Sequence, residues 1–235
     1  MEERACYRRL MTPPAACLFD LDGLLLNTEP LHGQAWGAAA AHFGTSLRPD
    51  QLLQLRGRRR LDCADQVVAW IDATIKRDEL LAVQHPIARR LLPTAVANPG
   101  AEALVTWCAD HTIPMALVTS SARDSVVYKT AAHPWIETIT TRVLGDDPDL
   151  KAGKPAPDPF QLAAQRLGVR AEECWAFEDS TAGSLAALAA GCRLWILAPT
   201  NHKSLDWDAL PQTSQWQRIE SLEEVLKTLE ISTTD

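Results

Sequence analysis

Two aspartates separated by one residue, Asp20 and Asp22, directly follow the apolar run at residues 15–19 and precede Gly23. If that run is a strand, alternation directs both carboxylates to one side of the chain. Neighbouring carboxylates repel each other, and one pKa rises unless a cation lies beside them. A hard divalent ion such as Mg²⁺, shared with a substrate phosphate, meets that requirement. The simpler alternative is an Asp-Gly turn with no ligand.

Hydroxyl groups follow a second apolar run, at residues 115–118. They belong to Thr119, Ser120 and Ser121. Small donors at the end of a strand and before a helix can bind the oxygens of an anion. Serine and threonine before a helix also serve as ordinary N-caps, so this segment alone leaves both interpretations open.

A lysine and a second acidic pair complete the set of candidate residues. Lys154 lies in a loop between a glycine and a proline, where its ammonium can bind a phosphate or simply be solvated. Glu178 and Asp179 follow the apolar run at 174–177. Acidic pairs at such positions commonly cap a helix, but here they would also supply ligands for a metal near Asp20.

The elements that must position these residues are short apolar runs alternating with helical patterns. The runs lie at 15–19, 115–118, 139–144, 174–177 and 193–197, and helical patterns at 99–110, 159–167 and 181–190. Continuous apolar runs of this length are typical of strands buried on both faces of a parallel sheet. We therefore predict a doubly wound α/β fold, with the candidate residues at the carboxyl ends of its strands, where such sheets bind ligands.

One long segment interrupts this alternation. Residues 28–97 contain only helical patterns, at 31–43, 50–55, 61–75 and 78–92. This pattern predicts a core domain of residues 1–27 and 98–235 and an inserted helical domain of residues 28–97. The inserted segment carries the densest basic cluster of the chain, which ends at Arg60.

Composition narrows the class of protein. The chain has 235 residues, of which 46% are hydrophobic, and a net charge of −7, which argues against nucleic-acid binding. The six cysteines have no zinc-binding spacing, and the charged N-terminal segment does not resemble a signal peptide. No apolar run approaches 18 residues, so no membrane span is expected. We expect a cytoplasmic protein with reduced cysteines and no membrane partner.

Taken together and in this order, the four motifs resemble the haloacid dehalogenase-like superfamily of aspartate-nucleophile phosphotransferases. The resemblance covers roughly residues 15–229. The stretches DLDGLLLNTE, VLGDDPDLKAGKPAPDPF and FEDSTAGSLAALAAG are similar to phosphatases of pseudouridine 5′-phosphate, glycerol phosphate and other small esters. The resemblance implies a Rossmann-like core with an inserted α-helical cap, and a phosphatase, probably not an obligate oligomer, acting on a small phosphorylated metabolite; we expect a monomer.

The resemblance also implies catalytic roles. Asp20 matches the nucleophile that forms an aspartyl-phosphate, and Asp22 matches the general acid/base. Thr119 matches the hydroxyl that holds the phosphoryl oxygens, with the amide of Ser120 as a helper. Lys154 matches the lysine that neutralises the nucleophile and the phosphoryl group.

The implied cofactor is Mg²⁺. Its ligands would be the carboxylates of Asp20 and Asp179 and the backbone carbonyl of Asp22. Glu178 would support the ion directly or through a water molecule.

Two alternatives to a phosphatase remain. Arg60 and His32 match residues of the β-phosphoglucomutases, which return the phosphoryl group to an intermediate, and Arg60 would then bind substrate. The Glu29-Pro30 dipeptide and the loop GDDPDLKAGKP instead match the hydrolytic relatives. A catalytically silent binding protein is the third possibility, and the intact set of acidic residues and lysine argues against it.

Overall fold

Six parallel strands form one sheet in the computed structural model of the chain, which describes residues 13–55, 58, 60–71, 74–198 and 205–232. The strands are β1 (Ala16–Phe19), β2 (Met115–Val118), β3 (Thr141–Val143), β4 (Cys174–Glu178), β5 (Arg193–Leu197) and β6 (Trp216–Ile219). Their order is β3-β2-β1-β4-β5-β6, with every neighbouring pair parallel. The predicted doubly wound parallel sheet is confirmed.

Helices cover both faces of this sheet. In the described ranges they are α1 (Glu29–His42), α2 (Pro49–Leu53), α3 (Arg60–Ile71), α4 (Arg77–Leu91), α5 (Ala101–Asp110), α6 (Arg123–Thr130), α7 (Asp158–Leu167), α8 (Thr181–Ala189) and α9 (Glu223–Ser232). Alternate residues of β1 face opposite layers: Cys17 and Phe19 pack in a cluster with α5 and α9, whereas Ala16 and Leu18 pack with α7 and α8. Burial on both faces explains why the central strands are continuously apolar.

Two strands differ from the sequence prediction. β3 is only Thr141–Val143, because Ile139 is buried at the end of a 3₁₀ turn (Pro134–Thr138) rather than in the strand. β6, an edge strand, was not predicted at all. Its residues Gln217 and Arg218 are exposed, so it lacks the apolar run that identifies the central strands.

Helices α1 to α4 all lie between β1 and β2 in the chain. They surround a separate hydrophobic cluster that includes Trp36, Val67 and Leu80. The two segments that join them to the sheet lie side by side, since Leu26 forms an antiparallel bridge with Ala97. The boundaries assigned to the inserted domain, residues 28–97, stay a prediction. The basic residues at 56 and 59 lie outside the described part of the chain.

The cysteines that the structure describes are all buried and unbridged: Cys17, Cys63, Cys108, Cys174 and Cys192. Cys6 falls outside the described residues. Within the described ranges, no helix has the length and apolar character needed to cross a membrane.

Candidate active site

Three adjacent strands of the sheet end at the same place. Phe19 of β1 is in register with Leu117 of β2 on one side and with Phe177 of β4 on the other. The amide of Asp20 continues this pairing by donating to the Phe177 carbonyl at 3.1 Å. The polar residues that follow the three strands are therefore brought together, although they are up to about 160 positions apart in the sequence.

Lys154 is held at the centre of this edge. Its Nζ donates to Oδ1 of Asp20 and Oε1 of Glu178, both at 2.5 Å, and to the carbonyl of Val118 at 2.9 Å. Burial alone would lower the pKa of Lys154, but the two carboxylates raise it above its ordinary value. The ammonium therefore stays charged, and the alternative of a solvated loop lysine is wrong.

Three buried carboxylates surround that lysine. Oxygen atoms of Asp20, Glu178 and Asp179 lie within 4.8 Å of one another. Burial raises the pKa of Asp20 and of Asp179 above the ordinary range, and repulsion from the neighbouring carboxylates adds to this in both. Three hard oxygen donors that destabilise one another are suited to a divalent cation such as Mg²⁺.

Two glycines allow this close arrangement. Gly23 has φ +87°, and a Cβ atom there would lie 1.9 Å from Oδ2 of Asp179. A Cβ atom on Gly183, in the first turn of α8, would lie 2.0 Å from the carboxylate of Glu178. Any side chain at either position would displace an acidic residue of the cluster.

The acidic pair does not cap α8. The N-cap residue is Ser180, whose hydroxyl accepts a hydrogen bond from the amide of Gly183 at 3.1 Å. The same hydroxyl donates to Oε2 of Glu178. Glu178 and Asp179 are thus free of the capping role that the sequence left open, and both carboxylates remain within the buried cluster.

The carboxylate of Asp22 lies in a different environment from that of Asp20. Nζ of Lys129 donates to its two oxygens at 2.7 and 2.9 Å. The hydroxyls of Ser121 and Thr28 donate to it at 2.7 and 2.8 Å. Burial alone would raise the pKa of Asp22, but Lys129 and His32 hold it well below its usual range. The side chain of Asp22 is not part of the three-carboxylate cluster.

The hydroxyl-bearing segment after β2 follows the same edge. Thr119 is buried, and its Oγ1 accepts a hydrogen bond from the amide of Ser121 at 3.1 Å. The N-cap of α6 is Ala122, and no side chain caps that helix end. The N-cap interpretation of these hydroxyls is therefore wrong. Thr119 and Ser120 instead line a cavity.

That cavity has a volume of about 380 Å³ and lies between the strand ends and the helices α1 to α4. Asp20, Asp22 and Lys154 line it from the sheet. Its other wall is largely apolar, with Trp36 and Leu55 among its residues. Arg60 is exposed and lies on the cavity lining, apart from the buried cluster. The volume falls in the range of small-molecule sites.

Sequence analysis did not identify every residue at this site. Lys129, Ser121 and Thr28 all contact Asp22, and none of them was assigned a role. His32 was considered only as a possible mutase residue, and its Nε2 lies 3.4 Å from Oδ1 of Asp22. Lys129 belongs to no motif, so only the fold places it here.

A family model described as haloacid dehalogenase-like hydrolase matches residues 14–191. The chain belongs to this family. The matched segment of this haloacid dehalogenase-like hydrolase contains Asp20, Lys129, Lys154 and Asp179, so the whole buried cluster lies within it.

Individual relatives carry more specific names. The chain is 34% identical over 187 residues to a probable pseudouridine-5′-phosphatase of Drosophila melanogaster, covering 78% of this chain and 80% of that protein. It is 32% identical to fructose-1-phosphate phosphatase YqaB of Escherichia coli, covering 75% and 93%. Among solved structures, a putative β-phosphoglucomutase from Thermotoga maritima superimposes with a TM-score of 0.74 at 25% identity, covering 92% and 98%.

Proposed function

We propose that this hydrolase is a Mg²⁺-dependent phosphatase that cleaves a small phosphomonoester, of a sugar, nucleoside or polyol, through an aspartyl-phosphate on Asp20. The observation that carries the proposal is the contact of Asp20 with the Lys154 ammonium, inside a cluster of two further carboxylates. Its similarity to relatives named as phosphatases of pseudouridine phosphate and fructose 1-phosphate supports the same reaction.

The charges of the site support a divalent cation. Four carboxylates, those of Asp20, Asp22, Glu178 and Asp179, lie in or beside the cavity with two buried ammonium groups. When all are ionised, two negative charges remain uncompensated. A cation of charge two neutralises them and leaves the site able to accept a phosphate.

In the proposed mechanism, Asp20, Asp179 and the backbone carbonyl of Asp22 hold Mg²⁺, with Glu178 in support. The ion supplies charge compensation where the carboxylate nucleophile and the anionic ester must meet. A carboxylate oxygen of Asp20 attacks phosphorus, and the bond from phosphorus to the ester oxygen breaks. Asp22 donates a proton to that oxygen, so that the alcohol leaves neutral.

The second half of the reaction restores the enzyme. Asp22, now ionised, removes a proton from a water molecule that attacks phosphorus, and inorganic phosphate leaves as the bond to Asp20 breaks. Lys154 compensates the charge on the phosphoryl group in both halves, because its ammonium is fixed beside Asp20. The hydroxyl of Thr119 and the amide of Ser120 are proposed to hold the phosphoryl oxygens.

Residues 28–97 are proposed to act as a cap that covers the leaving group. Helices α1 to α4 supply the apolar wall of the cavity, and Arg60 lies on the same side. A cap that excludes bulk water strengthens every charge interaction in the cleft. We further propose that the protein works as a cytoplasmic monomer.

A phosphomutase is the alternative, favoured by the position of Arg60 at the cavity and by the likeness to the Thermotoga structure. A mutase must hold the distal phosphate of a bisphosphate, and an arginine fork is suited to that. Phosphorus NMR with β-glucose 1-phosphate and catalytic glucose 1,6-bisphosphate separates the two. Faster accumulation of glucose 6-phosphate than of inorganic phosphate would replace the phosphatase assignment.

The proposed function is tested by phosphate release from p-nitrophenyl phosphate and a panel of phosphorylated metabolites. We expect turnover that EDTA abolishes and added Mg²⁺ restores. Asp20→Asn should lower kcat by more than about 100-fold, because the nucleophile is lost. Asp110→Asn, an exposed aspartate at the end of α5, is the matched control and should keep full activity. Metal-independent turnover, or an active Asp20→Asn enzyme, would contradict the proposal.

A further inference from the structure

Lys129 is a buried charged residue that the proposed mechanism does not use. It lies near the end of α6, with its side chain only 1% exposed. Burying an ammonium group costs several kcal/mol unless it is paired and hydrogen-bonded, so a lysine in this position requires a specific partner.

The hydrogen bonds of Lys129 identify that partner. Nζ donates to Oδ1 of Asp22 at 2.7 Å, to Oδ2 at 2.9 Å and to the hydroxyl of Ser121 at 2.8 Å. An ammonium group has three donors, and these contacts use all three. The Ser121 hydroxyl itself donates to Oδ2 of Asp22 at 2.7 Å. Lys129, Ser121 and Asp22 therefore form a closed triangle of hydrogen bonds.

We propose that Lys129 is the positioning residue for Asp22, fixing both carboxylate oxygens so that proton transfer with the leaving oxygen begins from one orientation. This inference rests on the proposed phosphatase function. It assigns the two buried lysines to different tasks. Lys154 contacts the nucleophile Asp20, and Lys129 contacts the acid/base Asp22.

The same triangle connects Asp22 to the phosphate-binding segment. The backbone amide of Ser121 donates to Oγ1 of Thr119 at 3.1 Å, while its side chain holds Asp22. The residue that would grip the phosphoryl oxygens and the residue that would protonate the leaving oxygen are thus fixed through one serine. Correct placement of an acid relative to its acceptor is what general acid catalysis requires.

The leaving group provides a test that separates positioning from a merely structural role. The nitrophenolate of p-nitrophenyl phosphate leaves without a proton, whereas an alkoxide does not. The kcat/KM value reports the steps up to release of the leaving group. Lys129→Met should therefore lower kcat/KM about 100-fold for the alkyl phosphate that the wild type hydrolyses fastest, but less than about 5-fold for p-nitrophenyl phosphate.

Three further variants complete the experiment. Lys227→Met replaces an exposed helical lysine in α9 and should change neither ratio. Ser121→Ala should give the same selective loss, smaller in size, and serves if Lys129→Met does not fold. The double variant Asp22→Asn/Lys129→Met removes both charges of the pair and should be no slower than Asp22→Asn alone, because without the acid there is nothing to position.

The outcomes distinguish this inference from the proposed function. If the wild type hydrolyses no phosphate ester, the proposed function fails, and this inference fails with it. If the wild type is active but Lys129→Met loses equal activity on both esters, or on neither, only the positioning role is overturned. Additive losses in the double variant would overturn it as well.

Discussion

Gly23 and Asp179 are in such close contact that a Cβ atom on Gly23 would lie 1.9 Å from the carboxylate oxygen Oδ2. The turn after β1 and the carboxylate after β4 therefore share one space. Because Asp179 is proposed to bind Mg²⁺, the conformation of this turn and the position of a metal ligand depend on each other.

Gly23→Ala should weaken Mg²⁺ binding by at least about tenfold, because the new methyl group displaces Asp179. Gly44→Ala is a matched control, since Gly44 has a similar φ of +81° but no atom within 4 Å of its Cβ position. Both variants should lose about 1 kcal/mol of unfolding free energy to backbone strain. Calorimetric titration with Mg²⁺ should show weaker binding only for Gly23→Ala. Equal Mg²⁺ affinity in the two variants would contradict the assigned role of Asp179.

Lys154→Met should destabilise the metal-free protein by about 3 kcal/mol, because it leaves the buried carboxylates of Asp20 and Glu178 without their cation. Mg²⁺ should raise the Tm of this variant more than that of the wild type, since the ion then compensates more charge. Lys151→Met, an exposed lysine in the same loop, should behave as the wild type. A Lys154→Met protein of unchanged Tm would show that the ion pairs contribute nothing to stability.

Arg60→Ala should raise KM about tenfold for a substrate whose leaving group carries a negative charge, because a charge-assisted contact is lost. The KM for p-nitrophenyl phosphate, which lacks that charge, should stay within about twofold. Steady-state kinetics on the two esters measure the difference. Arg89→Ala removes an exposed arginine on α4 and is the control. Equal effects of Arg60→Ala on both esters would remove Arg60 from substrate recognition.

Arg166 of α7 fastens the loop that leads to Lys154. Its guanidinium donates to both carboxylate oxygens of Asp147, at 2.6 and 2.8 Å, and to Asp149. The hydrogen bond from Arg166 holds the pKa of Asp147 below its usual range. This pair therefore stabilises the fold above the ordinary carboxyl pKa, and the contribution is lost as the pH falls through the depressed value.

Arg166→Gln should accordingly lower the free energy of unfolding by about 1 kcal/mol at about pH 7, and by less at about pH 3. Urea unfolding at the two pH values measures both quantities. Arg170→Gln, which breaks an exposed ion pair with Glu173, should cause no measurable loss. A loss from Arg166→Gln that is the same at both pH values would mean that the ion pair is not its cause.

The central part of the fold could be predicted because burial on both sides makes its strands continuously apolar. This holds for β1, β2, β4 and β5. It fails for β6 at the sheet edge, where Gln217 and Arg218 face solvent and give no distinct pattern. The sequence therefore indicates strands that are enclosed, and strands at an edge depend on a neighbour that only the fold provides.

At the site, predictability follows chain position. Asp20, Glu178 and Asp179 directly follow buried strands, so their convergence could be predicted from strand order. Lys129 is a lysine in the last turn of a short helix, and such lysines are usually exposed. Its pairing with Asp22 arises from the packing of α6 against the cleft, over 107 positions of sequence, which no local pattern encodes.

The sheet order has a consequence for how the protein is made. β1 is synthesised early, but one of its two neighbours is β4, and Asp20 waits 134 residues for Lys154. Helices α1 to α4 can associate from nearby contacts long before that point. A nascent chain that has not yet reached residue 174 thus carries the nucleophile without its second strand neighbour, Glu178 or Asp179. Activity can begin only late in translation, after the helical segment has had time to form.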